Sequence, residues 1–326
     1  MGTKVLVTGA GGFIGSHLVE ELVMEGYDVR AFVHYNAAGS WHNLEKVSRD
    51  ILDGIEVVSG DISDPFMVDT AVAGCEVVYH LAALIGIPYS YIAPEAYVST
   101  NVVGTLNILQ ACRRHGVSRI VHTSTSETYG SAQYTPIDER HPLVGQSPYS
   151  ASKIGADMLA ESYYRSFDLP VGIIRPFNTY GPRQSARAFI PTVIAQALTS
   201  NVLHLGNLDP IRDMTFVIDT ARGFLAAANS DNCVGTVCNL GVGKGISIGN
   251  FVNRVGALLG KELEVETDPK RVRPSKSEVV RLISDNSKMR ALSGWEPAVS
   301  FDEGLQHTID YIQENLTDFK IKQYNV

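Results

Sequence analysis

Long apolar stretches and runs of basic residues are both missing from this 326-residue chain. No apolar run reaches the ~20 residues that a membrane-spanning helix needs, and the first one, KVLVTG, is too short for a signal peptide. The net charge is −8 and no Lys/Arg cluster is longer than a few residues, which argues against nucleic acid or an anionic membrane as main partner. We therefore expect a cytoplasmic protein.

Cysteine clusters, internal repeats and low-complexity tracts are lacking as well. The four cysteines are Cys75, Cys112, Cys233 and Cys238; they form no CxxC pair and do not group with histidine. This pattern predicts buried, reduced thiols and no metal centre. The length and the ordinary hydrophobic fraction of 44% predict one large or two modest globular domains with an ample core.

Short β-rich apolar runs alternate with helical-period segments over roughly the first half of the chain. Strands are predicted at residues 4–8, 28–33, 55–59, 76–80, 119–123 and 171–175. Helices are predicted near residues 13–25, 64–73, 95–115 and 149–167. This alternation predicts an α/β fold, with a Rossmann-like doubly wound parallel sheet covered on both faces.

The rhythm changes after residue 175, where Pro, Gly, Asn and Arg become frequent in segments such as RPFNTYGPRQSARAFIP. A strand-helix pattern returns around residues 216–228. We predict a smaller, interleaved C-terminal domain. The expected division gives residues 1–176 and about 213–242 to a dinucleotide-binding domain, and about 177–212 and 243–326 to a substrate domain.

Three glycines lie between the first predicted strand and the first helix, at Gly9, Gly12 and Gly15. Glycines at such a turn let the backbone approach a pyrophosphate, which the helix N-terminus then binds through its free N–H groups. Their spacing is GxxGxxG and differs from the GxGxxG fingerprint. With the flanking strand and helix, the segment predicts a dinucleotide cofactor.

The end of the second predicted strand does not decide between NAD and NADP. An acidic residue there binds the ribose hydroxyls and an arginine favours the 2′-phosphate, but AFVHYN has neither. His34 is a phosphate contact or an ordinary surface residue. Asp61 accepts a hydrogen bond from the adenine amine or caps a helix, and Asp64 before Pro65 fits the cap better.

Tyr149 and Lys153 in SPYSASKIGA are one helical turn apart and share a face. A free tyrosine, with a pKa near ~10, is a poor base at neutral pH, and a neighbouring ammonium favours its phenolate. Of the 14 tyrosines, only Tyr149 has a lysine four residues later. The pair is therefore a candidate proton-transfer site.

The octet TSTSETYG follows a buried strand, where a solvated turn usually carries Gly, Pro, Asn or Asp. Its Thr125, Ser126 and Glu127 leave the strand at the carboxyl edge of the sheet, where ligands bind in doubly wound folds. The alternative is that the hydroxyls cap a turn and Glu127 is solvated. Beside Tyr149 and Lys153, we interpret the three residues as catalytic.

Five motifs, TGAGGFIG, HLAA, STSETYG, YSASK and RPFNTYGPRQ, occur in order along the chain. Together they resemble the extended short-chain dehydrogenase/reductase family of NAD(P)-dependent epimerases, dehydratases and decarboxylases acting on nucleotide sugars. HLAALIGIPYSY, PRQSARAFIP and RPSKSEVVRLISDNSK are most similar to bacterial NAD-dependent 4,6-dehydratases for nucleotide-linked N-acetylglucosamine, which serve legionaminic-acid-type pathways. Dehydratases of the dTDP-glucose type carry Asp where this chain has Ser126.

The resemblance implies site residues, a cofactor and partners. It implies NAD, with NADP not excluded, bound by Gly9, Gly12, Phe13, Ile14, Gly15, His34, Asp61, Ile62, Leu81, Ala82, Ala83, Asn101, Tyr149 and Lys153. It also implies a nucleotide-sugar substrate bound by Asn178 at its phosphates, by Arg212 at its nucleotide, and by the further candidates Arg187 and Arg273. A homodimer through the helices near residues 95–115 and 149–167 is expected.

The chemistry expected from these residues is a 4,6-dehydration. Tyr149 takes the proton of the sugar 4-hydroxyl, which Thr125 positions, while hydride leaves C4 for the nicotinamide. Glu127 then removes the C5 hydrogen, the 6-hydroxyl leaves as water, and the hydride returns to C6. Either Ser126 or the protonated Glu127 would serve the leaving hydroxyl. A uronate decarboxylase, a 4-epimerase and a non-catalytic cofactor sensor remain as alternatives.

Overall fold

The computed structural model describes residues 2–271 and 279–319. Its larger sheet is entirely parallel, with the strand order β10-β6-β5-β4-β1-β2-β3. The strands are β1 (Lys4–Thr8), β2 (Asp28–His34), β3 (Glu56–Gly60), β4 (Val77–His80), β5 (Arg119–Thr123), β6 (Val171–Pro176) and β10 (Val237–Leu240). This order, with its reversal between β1 and β4, is that of a Rossmann fold and confirms the predicted α/β class.

Helices cover both faces of this sheet because successive strand residues point to opposite sides. The helices of this layer are α1 (Phe13–Met24), α2 (Arg49–Leu52), α3 (Pro65–Val72), α4 (Ile87–Ser90), α5 (Pro94–Tyr97), α6 (Gly104–His115), α7 (Pro148–Phe167), α9 (Val217–Ala228) and α11 (Ser287–Ser293). Val7 packs in one core with Leu18 and Phe224, from α1 and α9. Leu6 packs in the other core with Ile108 and other residues of α3, α6 and α7.

The remaining strands and helices form a smaller lobe. Its strands are β7 (Asn178–Tyr180), β8 (Val202–Leu205), β9 (Ile211–Phe216), β11 (Gly245–Ser247), β12 (Glu264–Thr267) and β13 (Arg281–Leu282). Its helices are α8 (Phe189–Thr199), α10 (Ile248–Leu259) and α12 (Phe301–Glu314). Strand β9 pairs with β7, β11 and β13, while β8 pairs with β12. A separate core holds this lobe together around Val193, Phe251 and Leu305.

Short 3-10 turns complete the described elements, at His42–Lys46, Ser126–Tyr129, Asp231–Cys233, Pro269–Arg271 and Leu316–Asp318. Within the two described ranges, no helix is long and apolar enough to cross a membrane. All four cysteines are buried and free.

The six strands predicted from the sequence are confirmed, with boundaries that agree to within one residue. The helix predicted near residues 95–115 is interrupted, because a π-helical turn at Val98–Val103 separates α5 from α6. The expected domain border near residue 213 falls inside β9, which belongs to the smaller sheet. The chain returns to the larger layer at Val217, the first residue of α9.

The two lobes are connected by repeated crossings of the chain and by a cluster of charged and polar side chains. The chain passes between them at β6–β7, β9–α9, β10–β11, β13–α11 and α11–α12. At the back of α1, Arg183 makes hydrogen bonds to His17 and to Glu20. His17 Nε2 lies 3.0 Å from the Pro182 carbonyl oxygen, and Nδ1 faces Arg183 and Glu20. The segment after β7 is thereby attached to α1.

Candidate active site

The carboxyl edge of the larger sheet positions the predicted catalytic residues. Strand β5 ends at Thr123, and Thr125 continues in an extended conformation before a 3-10 turn begins at Ser126. Thr125 Oγ1 accepts a hydrogen bond from the Glu127 backbone N–H at 3.2 Å. The turn-capping alternative for this threonine is therefore correct, and it leaves Glu127 at the same edge.

Helix α7 begins at a capping box, which explains why the sequence starts a helix there. Ser147 Oγ accepts from the Ser150 N–H at 3.1 Å, and Ser150 Oγ accepts from the Ser147 N–H at 3.0 Å. Pro148 occupies the first helical turn, where its missing N–H costs nothing. Tyr149 and Lys153 follow on the buried face of the helix.

Tyr149 is only 7% exposed and its ring packs edge-on against Tyr97, with centroids 6.2 Å apart. Burial raises the pKa of the Tyr149 hydroxyl, and the hydrogen bond with Thr125 is the main opposing influence. The negative charge of Glu127 raises the same pKa further. The phenol, the Thr125 hydroxyl and the Glu127 carboxylate therefore lie close together.

Lys153 is buried under this group, with an exposed fraction of 4%. Its Nζ donates to the Thr123 carbonyl oxygen at 2.6 Å rather than to the phenol. Burial lowers the pKa of Lys153 to about 8, while the charge of Asp157 raises it. The ammonium that was predicted to favour the Tyr149 phenolate is thus hydrogen-bonded to the backbone at the end of β5.

Glu127 is half-buried and Ser126 is almost fully buried, at 3%. The carboxylate of Glu127 therefore keeps partial access to solvent, while the Thr125 hydroxyl and the phenol lie deeper. A carboxylate next to a buried phenol supplies a second proton acceptor to a ligand at this edge. This combination of groups permits proton removal at two neighbouring atoms.

The glycine turn after β1 has the close packing that a dinucleotide site requires. Gly9 has a φ of +69°, and a Cβ placed on it would lie 2.8 Å from the Ala82 backbone nitrogen. A Cβ on Gly15 would lie 2.2 Å from the Gly9 carbonyl oxygen. Gly12 is the N-cap of α1 and provides no side-chain cap, so the amides near Phe13 and Ile14 are available to an anion.

The loop after β4 borders this turn. Thr8 Oγ1 accepts hydrogen bonds from the backbone N–H groups of Leu81 and Ala82, each at 3.1 Å. Ala83 is half-buried in the same loop. Strands β1 and β4 are adjacent, so the two loops form the crevice at the reversal of strand order. This geometry fits a pyrophosphate and its attached riboses.

Asp61 is not a helix cap, because Asp64 caps α3 by accepting from the Phe66 and Met67 backbone N–H groups. Asp61 instead accepts from Ser63 and lies 3.5 Å from His34 Nε2. Burial alone would raise the pKa of Asp61, but these partners hold it below its ordinary value. The His34 side chain is 72% exposed, and the pair lies where β2 and β3 end. This position leaves both side chains accessible to a nucleoside.

Ile62 and Asn101 pack beneath the loops that border the candidate cofactor site. Ile62 is buried, and a Cβ on Gly104 would lie 2.6 Å from its Cδ1 atom. The Asn101 amide donates to the Leu84 carbonyl and to Ser152 Oγ, each at 2.9 Å, and accepts from the Leu84 N–H at 2.8 Å. Asn101 therefore holds the loop after β4 against α7.

The predicted substrate residues differ in their surroundings. Asn178 Oδ1 is buried and has no hydrogen-bond partner among residues 2–271 and 279–319, as expected of an atom that awaits a ligand. Arg212 is 8% exposed and its Nη1 donates to the Ile211 carbonyl. Arg187 is exposed beside the Gly86 loop. Arg273 lies outside the described residues.

Asp157 lies beneath the candidate site and was not identified from the sequence. It lies one helical turn after Lys153, is fully buried, and raises the pKa of that lysine. The spacing Tyr149, Lys153, Asp157 was the available signal, because all three fall on one face of a helix. In the described part of the chain, no group of His, Cys, Asp and Glu is arranged to hold a metal ion.

Known proteins resemble this chain over nearly its whole length. A family model described as GDP-mannose 4,6 dehydratase matches residues 6–308. A dTDP-glucose 4,6-dehydratase from Actinoplanes sp. is 32% identical, covering 96% of this chain and 98% of the relative. A UDP-glucuronic acid decarboxylase from Xenopus tropicalis is 30% identical, covering 98% of this chain and 75% of the relative.

A solved structure shows the same fold with ligands in place. It is the UDP-glucuronic acid 4-epimerase from Bacillus cereus in complex with UDP-glucuronic acid and NAD, 30% identical, with a TM-score of 0.85 and coverage of 96% and 100% of the two chains. These relatives are similar to this chain at nearly equal levels although their activities differ. Their agreement extends across both lobes, and the chain belongs to the GDP-mannose 4,6-dehydratase family of the extended short-chain dehydrogenases/reductases.

Proposed function

We propose that the protein is an NAD-dependent 4,6-dehydratase of a nucleotide sugar, and that its substrate is UDP- or GDP-N-acetylglucosamine. The observation that carries the proposal is the Glu127 carboxylate beside the Tyr149 phenol, close enough to raise the pKa of that phenol. A 4-epimerase and a plain dehydrogenase have no use for this second proton acceptor. Dehydration across C5 and C6 requires one.

The nicotinamide, when bound, accepts a hydride from the sugar and later returns it. The chain's own residues handle the protons. Tyr149 takes the proton of the sugar 4-hydroxyl, and the Thr125 hydroxyl, already hydrogen-bonded to the phenol, orients that group. The resulting C4 ketone acidifies the C5 hydrogen, which Glu127 removes.

Loss of the 6-hydroxyl as water needs a proton donor. Ser126 is buried beside Glu127 but a hydroxyl is a weak acid, so we assign the proton to Glu127 after it has accepted the one from C5. A single carboxylate then serves both halves of the elimination. Its half-buried position also lets Glu127 take up a proton from solvent. It gives this proton to C5 when the hydride returns to C6, and Tyr149 releases the 4-hydroxyl proton to solvent.

Binding of the nucleotide diphosphate is assigned to the edge of the smaller lobe. The partnerless Asn178 Oδ1 lies at the start of β7, directly after the larger sheet ends, where it can accept a hydrogen bond from a sugar hydroxyl or through water. Arg212 on β9 is assigned to the nucleotide end and Arg187 to the phosphates, since guanidinium groups match phosphate geometry.

Decarboxylation of a UDP-linked uronic acid is the second candidate function. It shares the C4 oxidation by Tyr149, and the Xenopus tropicalis relative carries that activity in its name. It requires a cation for the sugar carboxylate, and the exposed Arg187 beside the Gly86 loop is such a group. The half-buried Glu127 disfavours it, because a second carboxylate would repel the uronate.

Mass spectrometry separates these activities in one experiment. The purified protein is incubated with NAD and UDP-N-acetylglucosamine, GDP-N-acetylglucosamine or UDP-glucuronate. A product lighter by one water supports the dehydratase. A product lighter by carbon dioxide rejects the dehydratase and supports the decarboxylase. An unchanged mass with a changed sugar NMR spectrum identifies an epimerase. No change with any substrate rejects all three.

The variant Glu127→Gln tests the role of the carboxylate. Removal of its charge lowers the pKa of Tyr149, so oxidation at C4 is retained and absorbance at 340 nm accumulates, while water is not eliminated. The matched control is Glu95→Gln, an exposed carboxylate on α5, which should behave as the parent protein. Normal elimination of water by Glu127→Gln would reject the assigned role.

We further propose a homodimer through the surface formed by Val98–Val103, α6 and α7. Exposed apolar side chains support it, since Val98, Val103 and Met158 have exposed fractions of 53%, 42% and 45%. Val98→Asp should convert the dimer to a monomer in sedimentation experiments. Phe66→Asp, at a position 82% exposed on α3, is the control and should leave the dimer intact.

A cytoplasmic location is part of the same proposal. All four cysteines are free and buried, which suits a compartment that keeps thiols reduced. Cell fractionation with an antibody against the chain tests it, and recovery outside the cytoplasmic fraction would contradict it.

A further inference from the structure

A cluster of charged and polar side chains fills the core between α7 and strands β4, β5 and β6, directly beneath Lys153. At its centre is Asp157, with an exposed fraction of 0%. Its Oδ2 accepts from Ser124 Oγ at 2.6 Å and from Arg175 Nη2 at 3.0 Å. Its Oδ1 lies 3.2 Å from His122 Nε2.

The charges in this cluster are unequal. Burial lowers the pKa of His122 and places that of His80 well below its ordinary value, so both rings are neutral at pH 7. Two cations, Lys153 and Arg175, then share the single carboxylate of Asp157. On the outer side, the titratable groups near α7 are Tyr149, Tyr97 and Glu127.

Arg175 is fully engaged in the cluster. Its Nη1 donates to the Tyr129 hydroxyl at 3.1 Å, and that hydroxyl donates to Asn239 Oδ1 at 2.7 Å. The Asn239 amide in turn donates to the Ile137 carbonyl at 2.9 Å. Asp157 is therefore held in one orientation by partners from β5, from the residue that follows it and from β6, and its position relative to Lys153 is fixed.

Burial of an ammonium such as that of Lys153 disfavours its charged form unless a negative group compensates. The Thr123 carbonyl supplies a dipole to Nζ at 2.6 Å, but no full charge. Among the described residues, the carboxylate whose charge acts on Lys153 is Asp157. The i, i+4 spacing on α7 keeps the two side chains on one face.

We propose that Asp157 is a positioning residue, which keeps Lys153 protonated for the reaction by placing a fixed negative charge beneath it. This inference rests on the proposed function for the part played by Lys153 in catalysis. The charge relation between the two side chains is independent of it. Ser124 and Arg175 orient the carboxylate, and Arg175 limits how much of its charge reaches Lys153.

The test measures the pKa of Lys153 directly, by titration of the lysine ¹³Cε and ¹⁵Nζ signals in the isotope-labelled full chain. The signal is assigned by its loss in Lys153→Arg. In Asp157→Asn the pKa of Lys153 should fall by about one to three units, because an opposite charge has been removed. Ser124→Ala is the matched control; it deletes one hydrogen bond to Asp157 without changing charge, and should leave the lysine pKa within a few tenths of a unit.

For a second variant we expect the pKa of Lys153 to change in the opposite direction. Arg175→Met removes the competing cation, so the pKa of Lys153 should rise. Circular dichroism establishes that each variant is folded. An unchanged lysine pKa in either folded variant overturns the proposal. If neither variant folds, the cluster serves stability alone and the proposal is equally rejected.

The pH dependence of kcat/KM distinguishes a failure of this inference from a failure of the proposed function. If charged Lys153 is required, activity falls as the pH rises through its pKa, so the alkaline limb of kcat/KM should move to lower pH in Asp157→Asn. A lysine pKa that falls while the alkaline limb stays in place would leave the inference standing and reject the role of Lys153 in the reaction.

Discussion

The hydroxyl of Tyr149 loses its proton with difficulty in the protein alone, because burial and the charge of Glu127 both raise its pKa. Thr125 partly offsets these effects through its hydrogen bond. With its pKa raised, the Tyr149 phenol is protonated at neutral pH in the protein alone. To accept a proton as proposed, it needs a positive charge nearby that favours the phenolate, and Lys153 or the nicotinamide ring of bound NAD would supply one.

Removal of the Tyr149 hydroxyl should abolish proton transfer while leaving the fold intact. For Tyr149→Phe we expect kcat to fall by about 10²–10⁴-fold, the range for loss of a general acid–base group. The rate is measured by stopped-flow absorbance at 340 nm, with the substrate that mass spectrometry has identified. Tyr134→Phe removes an exposed hydroxyl that donates to Asp138 and serves as the control. Full activity in Tyr149→Phe would contradict the assignment.

Gly9 offers a test of the cofactor turn at single-residue resolution. Gly9→Ala places a methyl group 2.8 Å from Ala82 N at a φ of +69°, so we expect NAD binding to be lost in calorimetry. Gly74→Ala is matched to it, because Gly74 has a φ of +78° but open space around its Cβ position. Both variants should lose about 1–2 kcal/mol of stability from backbone strain, and Gly74→Ala should bind NAD normally. Equal NAD affinities in the two variants would contradict the prediction.

The sequence alone located Tyr149, Lys153 and the hydroxyl cluster, since each depends on local spacing and on position after a strand. It did not reveal that the Lys153 ammonium contacts the Thr123 carbonyl, because β5 and α7 meet only in the folded protein. Asp157 was missed for the same reason, because the sequence does not show that Arg175 contacts this carboxylate in the folded protein.

Helix α7 carries two of the proposed catalytic groups, so its first turn determines where they lie. Its capping box satisfies backbone N–H groups that a helix start leaves without partners. Tyr149 is the second helical residue and lies within this turn. Fraying of the first turn would therefore displace the phenol before it affected the rest of the helix.

Ser147→Ala should cost about 1 kcal/mol of unfolding free energy, because it removes the cap from α7. We also expect lower kcat with little change in global structure, since Tyr149 lies in the uncapped turn. Urea denaturation and steady-state kinetics measure the two effects. Ser162→Ala, an exposed position in the same helix, is the control and should change stability by no more than about 0.5 kcal/mol. Equal behaviour of the two variants would rule out the cap as a determinant.

The helix predicted near residues 95–115 differs from the structure at one place, where a π-helical turn interrupts it. Periodicity reports which face is apolar, but it does not report a π-helical turn, where one extra residue per turn is inserted. The turn at Val98–Val103 contains Asn101, whose side chain bridges to Leu84 and Ser152. Such tertiary hydrogen bonds compensate for the irregular backbone and lie outside any local pattern.

At the scale of the molecule, the ionic cluster behind α1 joins the two lobes. Burial would raise the pKa of Glu20, but hydrogen bonds from His17 and Arg183 outweigh it and hold that pKa below its ordinary value. A carboxylate with a lowered folded-state pKa stabilises the protein above its unfolded pKa of about 4.5, and this contribution is lost as the pH falls.

Glu20→Gln should therefore reduce the unfolding free energy by about 1–2 kcal/mol at pH 7. The difference from the parent protein should shrink as the pH falls below about 4.5, because the Glu20 carboxyl is protonated first in the unfolded chain and, at lower pH, in the folded protein as well. Urea denaturation across this pH range measures it. Glu25→Gln, an exposed residue at the end of the same helix, should show no such dependence. A constant difference at all pH values would exclude Glu20 as the source.

The fivefold passage of the chain between the lobes constrains how this architecture can be recombined. A fragment ending at Pro176 lacks β10 and α9, so Phe224 would no longer cover its side of the larger sheet. Exchanging substrate preference with a relative by grafting a lobe thus requires three inserts and five junctions, at 176/178, 216/217, 240/245, 282/287 and 293/301. New specificities in this scaffold are accordingly easier to reach by point changes at single positions than by exchange of whole lobes.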